Sequence, residues 1–139
     1  MTKEVIITIE GIQSGTGEEP ILVTAPGIYH YINGRHFVRY EEKTEDTGKA
    51  SKNTIKISAS NILLARKTPN LSRMEFDLAA KTRTYYRTQY GDMVFDIKTE
   101  SIKLEEGPDK IAVGLLYTLF TNEEKLSDNN IIITINAVQ

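Results

Sequence analysis

The chain has 139 residues, with 17 basic side chains against 19 acidic ones and a formal charge of −2. That length fits one domain with one core, and the near-neutral balance argues against a nucleic-acid-tracking surface or an anionic-membrane contact. The absence of cysteine removes thiol catalysis, iron–sulfur clusters, cysteine-bound zinc and disulfide frameworks, and there is also no tryptophan.

In chain order, the first pattern is period two: Val5, Ile7 and Ile9 alternate with Thr8 and Glu10, as in a half-buried strand. No apolar leader precedes it, and no stretch approaches the roughly 20 apolar residues of a membrane helix, so a cytoplasmic location is expected. Gly11 to Gly17 holds three glycines without the lysine of a phosphate loop and reads as a turn. Pro26-Gly27 reads as a bulge or corner. Asn33-Gly34 is the strongest hairpin signal, because a type I′ turn needs positive φ at both central residues. A two-residue loop there pairs Ile32 with Arg35 and Tyr31 with His36. Tyr29, Tyr31, His36, Val38 and Tyr40 then share one face, and His30, Phe37 and Arg39 the other.

The polar run from Glu41 to Lys52 reads as strand ends around an exposed loop, and Thr68-Pro69-Asn70 as a turn. Met74, Phe76 and Leu78 alternate with acidic residues, and Leu78 to Thr84 has room for one helical turn. A two-residue loop at Tyr90-Gly91 sets Thr88 against Met93 and Tyr86 against Phe95. It carries Tyr86 and Thr88 to the face of Met93, Phe95, Ile97 and Thr99. Glu106 to Asp109 and Asp128-Asn129-Asn130 are further turn signals. Ile111 to Phe120 and Ile131 to Val138 are apolar on both faces, as in strands covered on two sides; Tyr117 is in phase with Val113, Leu115 and Leu119. Eight to ten such strands predict an all-β, up-and-down antiparallel barrel forming a single domain over residues 1–139.

The inward set therefore includes Tyr86, Thr88, Thr99 and Tyr117, with Arg66 in phase with Ile62 and Leu64. Buried hydroxyls need partners, and a buried guanidinium needs a counter-charge. One reading is a closed packing network in which Arg66 meets Glu41, Glu42 or another carboxylate. The other is a lumen where Arg66 and tyrosine hydroxyls hold the anionic group of a small ligand. His30 and His36, on opposite hairpin faces, do not suit a shared metal, and no metal or other cofactor is expected. The pairs Glu41-Glu42 and Glu105-Glu106 point to opposite faces and make no dyad. There is no Gly-x-Ser-x-Gly elbow.

Tyr40-Glu41-Glu42, Thr47-Gly48, Thr54-Ile55-Lys56-Ile57, Arg66, Met74-Glu75-Phe76, Tyr86-x-Thr88-x-Tyr90-Gly91, Thr99 and Tyr117 occur in an order that resembles the YwiB-like proteins. These are small bacterial β-barrels, mostly from Firmicutes, grouped with the calycin-like barrels, and the resemblance spans nearly the whole chain. It implies a cytosolic, lipocalin-like barrel and assigns no reaction. By fold analogy alone it points to a small anionic or apolar ligand in the lumen. The Gly-x-Trp start of secreted lipocalins is absent, which weighs against their transport role.

Together these readings give a non-enzymatic barrel that binds a small, partly apolar anion. Arg66, Tyr86, Thr88, Thr99 and Tyr117 line its site, and Tyr40 and Glu42 stand at the mouth. The alternative is a filled structural or interaction module, homodimeric through an apolar outer face. A lyase or isomerase using a lumen tyrosine or arginine has no positive signal.

Overall fold

Period-two alternation with β-branched and aromatic residues produces strands along almost the whole chain. The computed structural model describes residues 2–14, 21–43, 50–67, 72–88 and 91–138. These form β1 (Thr2–Ser14), β2 (Ile21–Ile32), β3 (Arg35–Lys43), β4 (Ala50–Ile57) and β5 (Asn61–Lys67). They continue through β6 (Ser72–Asp77), β7 (Thr82–Thr88), β8 (Gly91–Glu106), β9 (Lys110–Thr121) and β10 (Glu124–Ala137). No helix occurs among the described residues. All ten strands join one antiparallel sheet in the order β6-β5-β4-β3-β2-β1-β10-β9-β8-β7.

Because β1 pairs with β10, the sheet's two outer strands are β6 and β7, which are consecutive in sequence. They approach each other and nearly close the barrel; among the described residues the isolated bridge Asp77–Ala80 belongs to the reversal that joins them, not to a ladder between them. Threonine hydroxyls do the rest. Thr84 Oγ1 donates to the Arg73 carbonyl at 2.7 Å, and Thr82 Oγ1 donates to the Glu75 carbonyl. Both come from alternate residues of β7, so one side-chain row stands in for a backbone ladder. Replacing both threonines by valine should cost about 1–3 kcal/mol, from two lost hydrogen bonds of about 0.5–1.5 kcal/mol each. Hydrogen exchange should accelerate first in β6 and β7; uniform protection in the variant would argue that the seam is held another way.

The interior is a continuous apolar cluster. Ile7, Val38, Ile55, Ile57, Ile62, Phe76, Ile97, Val113, Leu115 and Ile133 are almost fully buried within it. The Asn33-Gly34 hairpin has the expected register, with Ile32 opposite Arg35 and Tyr31 opposite His36, and φ is +53° and +78° at the two turn residues. His36, Val38 and Tyr40 are buried, while Tyr31 at the rim is exposed.

Several local expectations are corrected. Asp128-Asn129-Asn130 is not a turn but part of β10. The reversal falls at Asn122-Glu123, where both residues have positive φ. The polar side chains are satisfied inside the strand: Asn129 Nδ2 donates to Ser127 Oγ at 3.0 Å, and Thr118 donates to Asp128 at 3.0 Å. Pro26-Gly27 lies within β2, not at a bulge. Gly27 pairs with Val5 and Tyr40, and the described β2–β3 pairing ends there, so the proline's missing N–H costs little. Gly27 is required by close approach, since a Cβ there would sit 2.9 Å from the Arg39 carbonyl oxygen. Gly11 is also within a strand, paired with Ile21 and Ile131. Residues 15–17, the 44–49 loop and the 68–70 turn lie outside the described residues.

In the β7–β8 hairpin, Thr88 pairs with Gly91 and Tyr86 with Met93, a displacement of two residues from the expected register. Gly91, at φ +114°, sits in the paired region, a conformation only glycine takes readily. A shift of two preserves the face. The strands β9 and β10 are not covered on both sides: Leu116 and Ile132 face outward and are exposed.

Candidate functional site

Each inward polar residue is placed by strand phase. Thr99 lies opposite Tyr117, and Tyr117 lies opposite Asn129, so three inward positions on β8, β9 and β10 form a row. Tyr117 and Thr99 are both 8% exposed. The Tyr117 ring packs on Phe76 of β6, with centroids 4.7 Å apart and planes tilted by 58°. Burial pushes the Tyr117 phenol up to about 12, so it is a neutral hydroxyl at every physiological pH.

Among the described residues, Thr99 is the exception to polar satisfaction. Its Oγ1 is buried and has no hydrogen-bond partner. An orphaned buried hydroxyl costs about 1–3 kcal/mol and needs an explanation. The backbone beside it is irregular: the β8–β9 register shifts between Thr99 and Ser101. That bulge switches the strand's phase, so Ile102 and Leu104 pack on the core after it.

On the opposite wall, Tyr40 is buried opposite Gly27 and Asn53, and Asn53 is buried opposite the register position of Arg66. Tyr40 and Tyr117 belong to the same core cluster. Glu41, by contrast, is exposed and alternates with buried Tyr40. The backbones of Glu42, Arg66, Tyr86 and Thr88 are in strands, opposite Ser51, Asn53, Met93 and Gly91; their side chains lie outside the described residues.

Sequence reasoning missed a second constellation. His36 Nδ1 lies 2.7 Å from the Tyr29 hydroxyl, and His36 Nε2 lies 3.1 Å from Glu106 Oε1. The Glu106 carboxylate accepts from His36 Nε2, and Nδ1 is engaged with the Tyr29 hydroxyl, so both ring nitrogens are held. Burial, then the neighbouring Tyr31 and Glu106, raises the Tyr29 phenol above its ordinary value and keeps it a donor. The contact joins β3 to β8, strands that are not neighbours in the sheet, through a buried imidazole and a solvent-exposed carboxylate, and so braces the barrel where its interior opens to solvent. Tyr29 and His36 shared a face in the hairpin reading. Glu106 was invisible because the bulge near Glu100 reset its phase. Among the described residues, no group of three or more histidine, aspartate or glutamate side chains is arranged to hold a metal ion.

Fold and interior together define a class: a ten-stranded antiparallel meander barrel, nearly closed, with polar hydroxyls set into an apolar interior. The chain belongs to the family described as Domain of unknown function (DUF1934), whose profile matches residues 7–133. It is 24% identical over 123 residues to the uncharacterized β-barrel protein YwiB of Bacillus subtilis strain 168, covering 88% of this chain and 85% of that protein. The crystal structure of ywiB protein from Bacillus subtilis superposes with a TM-score of 0.82 at 19% identity, covering 99% of this chain and 94% of that one. The resemblance read from the sequence is therefore correct, and the structural likeness establishes the fold.

Proposed function

We propose that this protein is a cytosolic, non-enzymatic barrel that binds a small, partly apolar anionic molecule in its interior. The observation that carries this reading is the Thr99 hydroxyl, buried without a partner beside the neutral phenol of Tyr117. A packing network would satisfy that hydroxyl or replace it with an apolar group. A ligand acceptor atom gives it a partner, and the surrounding isoleucines suit an apolar body. Arg66, at the register position beside Asn53, is the candidate for the anionic group. By strand phase Tyr86 and Thr88 on β7 are further candidates for the lining, and Tyr40 and Glu42 on β3 are candidates for its mouth.

Two results follow. Organic extracts of natively purified protein should contain one small molecule in stoichiometric amount by mass spectrometry. Ligand-stripped Thr99→Val should melt about 3–10 °C above stripped wild type, the equivalent of about 1–3 kcal/mol in a chain of this length. An empty extract together with a destabilised valine variant would sink the proposal.

A second reading rests on a different feature. The outer face of β1 to β5 forms a groove of about 1050 Å³, with Ile6, Pro26, Ile28, Ala65 and Val138 on its floor and Arg39 and Glu41 at its rim. A second copy of the chain related by a two-fold axis suits such a groove, because each rim offers both signs of charge. This is the interaction-module alternative, displaced from the β9–β10 face expected from sequence. Sedimentation as a strict monomer at high concentration removes it.

A further inference from the structure

A separate cluster lies outside the barrel, on the face of β3 to β6 away from the core. Arg35 of β3, Lys56 of β4 and Arg73 of β6 line one cleft of about 100 Å³, together with Ser58, Asn61 and Glu75. All three cations alternate in sequence with inward residues: Arg35 precedes buried His36, Lys56 lies between buried Ile55 and Ile57, and Arg73 precedes inward Met74. Strand phase therefore fixes them outward, on strands whose registers are continuous through the cleft.

The cleft's wall is held in place. Ser58 donates to the Asn61 carbonyl from its backbone N–H at 2.9 Å and from its Oγ at 3.0 Å, which fixes the β4–β5 connection. The cleft's one carboxylate is already engaged, since Asn61 Nδ2 donates to Glu75 Oε2 at 3.0 Å. Lys56 Nζ sits 5.4 Å from the centroid of the Phe37 ring, which restrains its stem. Arg83 and Lys125 elsewhere on the surface have carboxylate partners, at 2.9 and 2.7 Å. Among the described residues, Arg35, Lys56 and Arg73 make no such pair.

Three cations against one carboxylate leave a local charge of +2 in a chain whose net charge is −2. Like charges on adjacent strands repel, and a doubly charged anion between them turns that repulsion into attraction. We propose that this cleft binds a phosphoryl dianion, with the guanidinium forks of Arg35 and Arg73 donating to its oxygens and Lys56 acting as a point charge. A monocarboxylate would neutralise only half the excess charge. The cleft admits the phosphoryl group and leaves any attached body in solvent. The site is independent of the interior and stands or falls without it.

The probes are inorganic phosphate and phenyl phosphate, titrated calorimetrically into the full chain at matched ionic strength. Saturable one-site binding is expected, about tenfold weaker or more in Arg35→Gln/Arg73→Gln and unchanged in Arg83→Gln, whose guanidinium is paired with Asp96. Equal affinity for the two probes identifies the phosphoryl group as the whole ligand; tighter binding of the ester identifies a phosphorylated small molecule. Circular dichroism checks that the double variant folds, and Lys56→Gln, with one cation removed, gives a second, milder loss. Absence of saturation with either probe, or equal affinity in wild type and double variant, overturns the proposal.

Discussion

Phe76→Ala is expected to cost about 3–5 kcal/mol, a large share of the roughly 5–15 kcal/mol that holds a domain of this kind. Phe76 has no solvent exposure although it sits on β6, one of the two strands at the seam. Its ring packs against Ile62 on the neighbouring strand and meets Tyr117 of β9 across the seam side of the barrel. Removing it takes apolar contacts from both walls and leaves a cavity beside a joint that has little backbone pairing. The melting temperature should fall by about 10–17 °C. Phe76→Leu, which keeps most of the volume, should cost far less. A loss below about 1 kcal/mol for alanine would show that the walls collapse onto the vacated space.

The second large effect is alkaline. Burial raises the Tyr117 phenol from 10.0 to about 12, so the folded state holds a proton that the unfolded chain releases near pH 10. The sign follows directly. Below pH 10 both states carry the proton and Tyr117 contributes its full stability. Between pH 10 and 12 the unfolded state gains by ionising, and stability falls by about 1.4 kcal/mol per pH unit, about 2.7 kcal/mol in all. Tyr117→Phe keeps the ring against Phe76 and abolishes this component. Tyr29 is shifted in the same direction and leaves a smaller slope in the variant. Chemical denaturation across this range, read as wild type minus Tyr117→Phe, isolates the effect from lysine titration. Parallel profiles would mean that the Tyr117 hydroxyl is solvated in the folded protein.

Much of the fold was legible because strand phase is a two-letter code. Asn33-Gly34 specified both a turn and a register, and that register placed His36, Val38 and Tyr40 inward. Even the β7–β8 hairpin, offset by two residues, kept its faces. The failures have a common physical origin: polar residues look like turns until their strand partners are known. Asp128 and Asn129 read as a loop, yet Thr118 and Ser127 satisfy them inside β10. A bulge is equally silent in sequence, and the one after Thr99 concealed both the inward return of Ile102 and Leu104 and the reach of Glu106 to His36. Of the interior site, Thr99 and Tyr117 are both buried, as their phases required, but their adjacency comes from the β8–β9 register, which sequence does not carry. Glu41 is exposed beside buried Tyr40, as the alternation of adjacent strand residues requires.

The interior hydroxyl row is the centre of the account, and its most direct test is native mass spectrometry of wild type and Thr99→Val purified side by side under gentle conditions. One adduct of fixed mass is expected on wild type, with an occupancy about three- to tenfold lower in the variant, matching the loss of a single hydrogen bond. Bare chain mass in both proteins, or equal adduct occupancy in both, would contradict it.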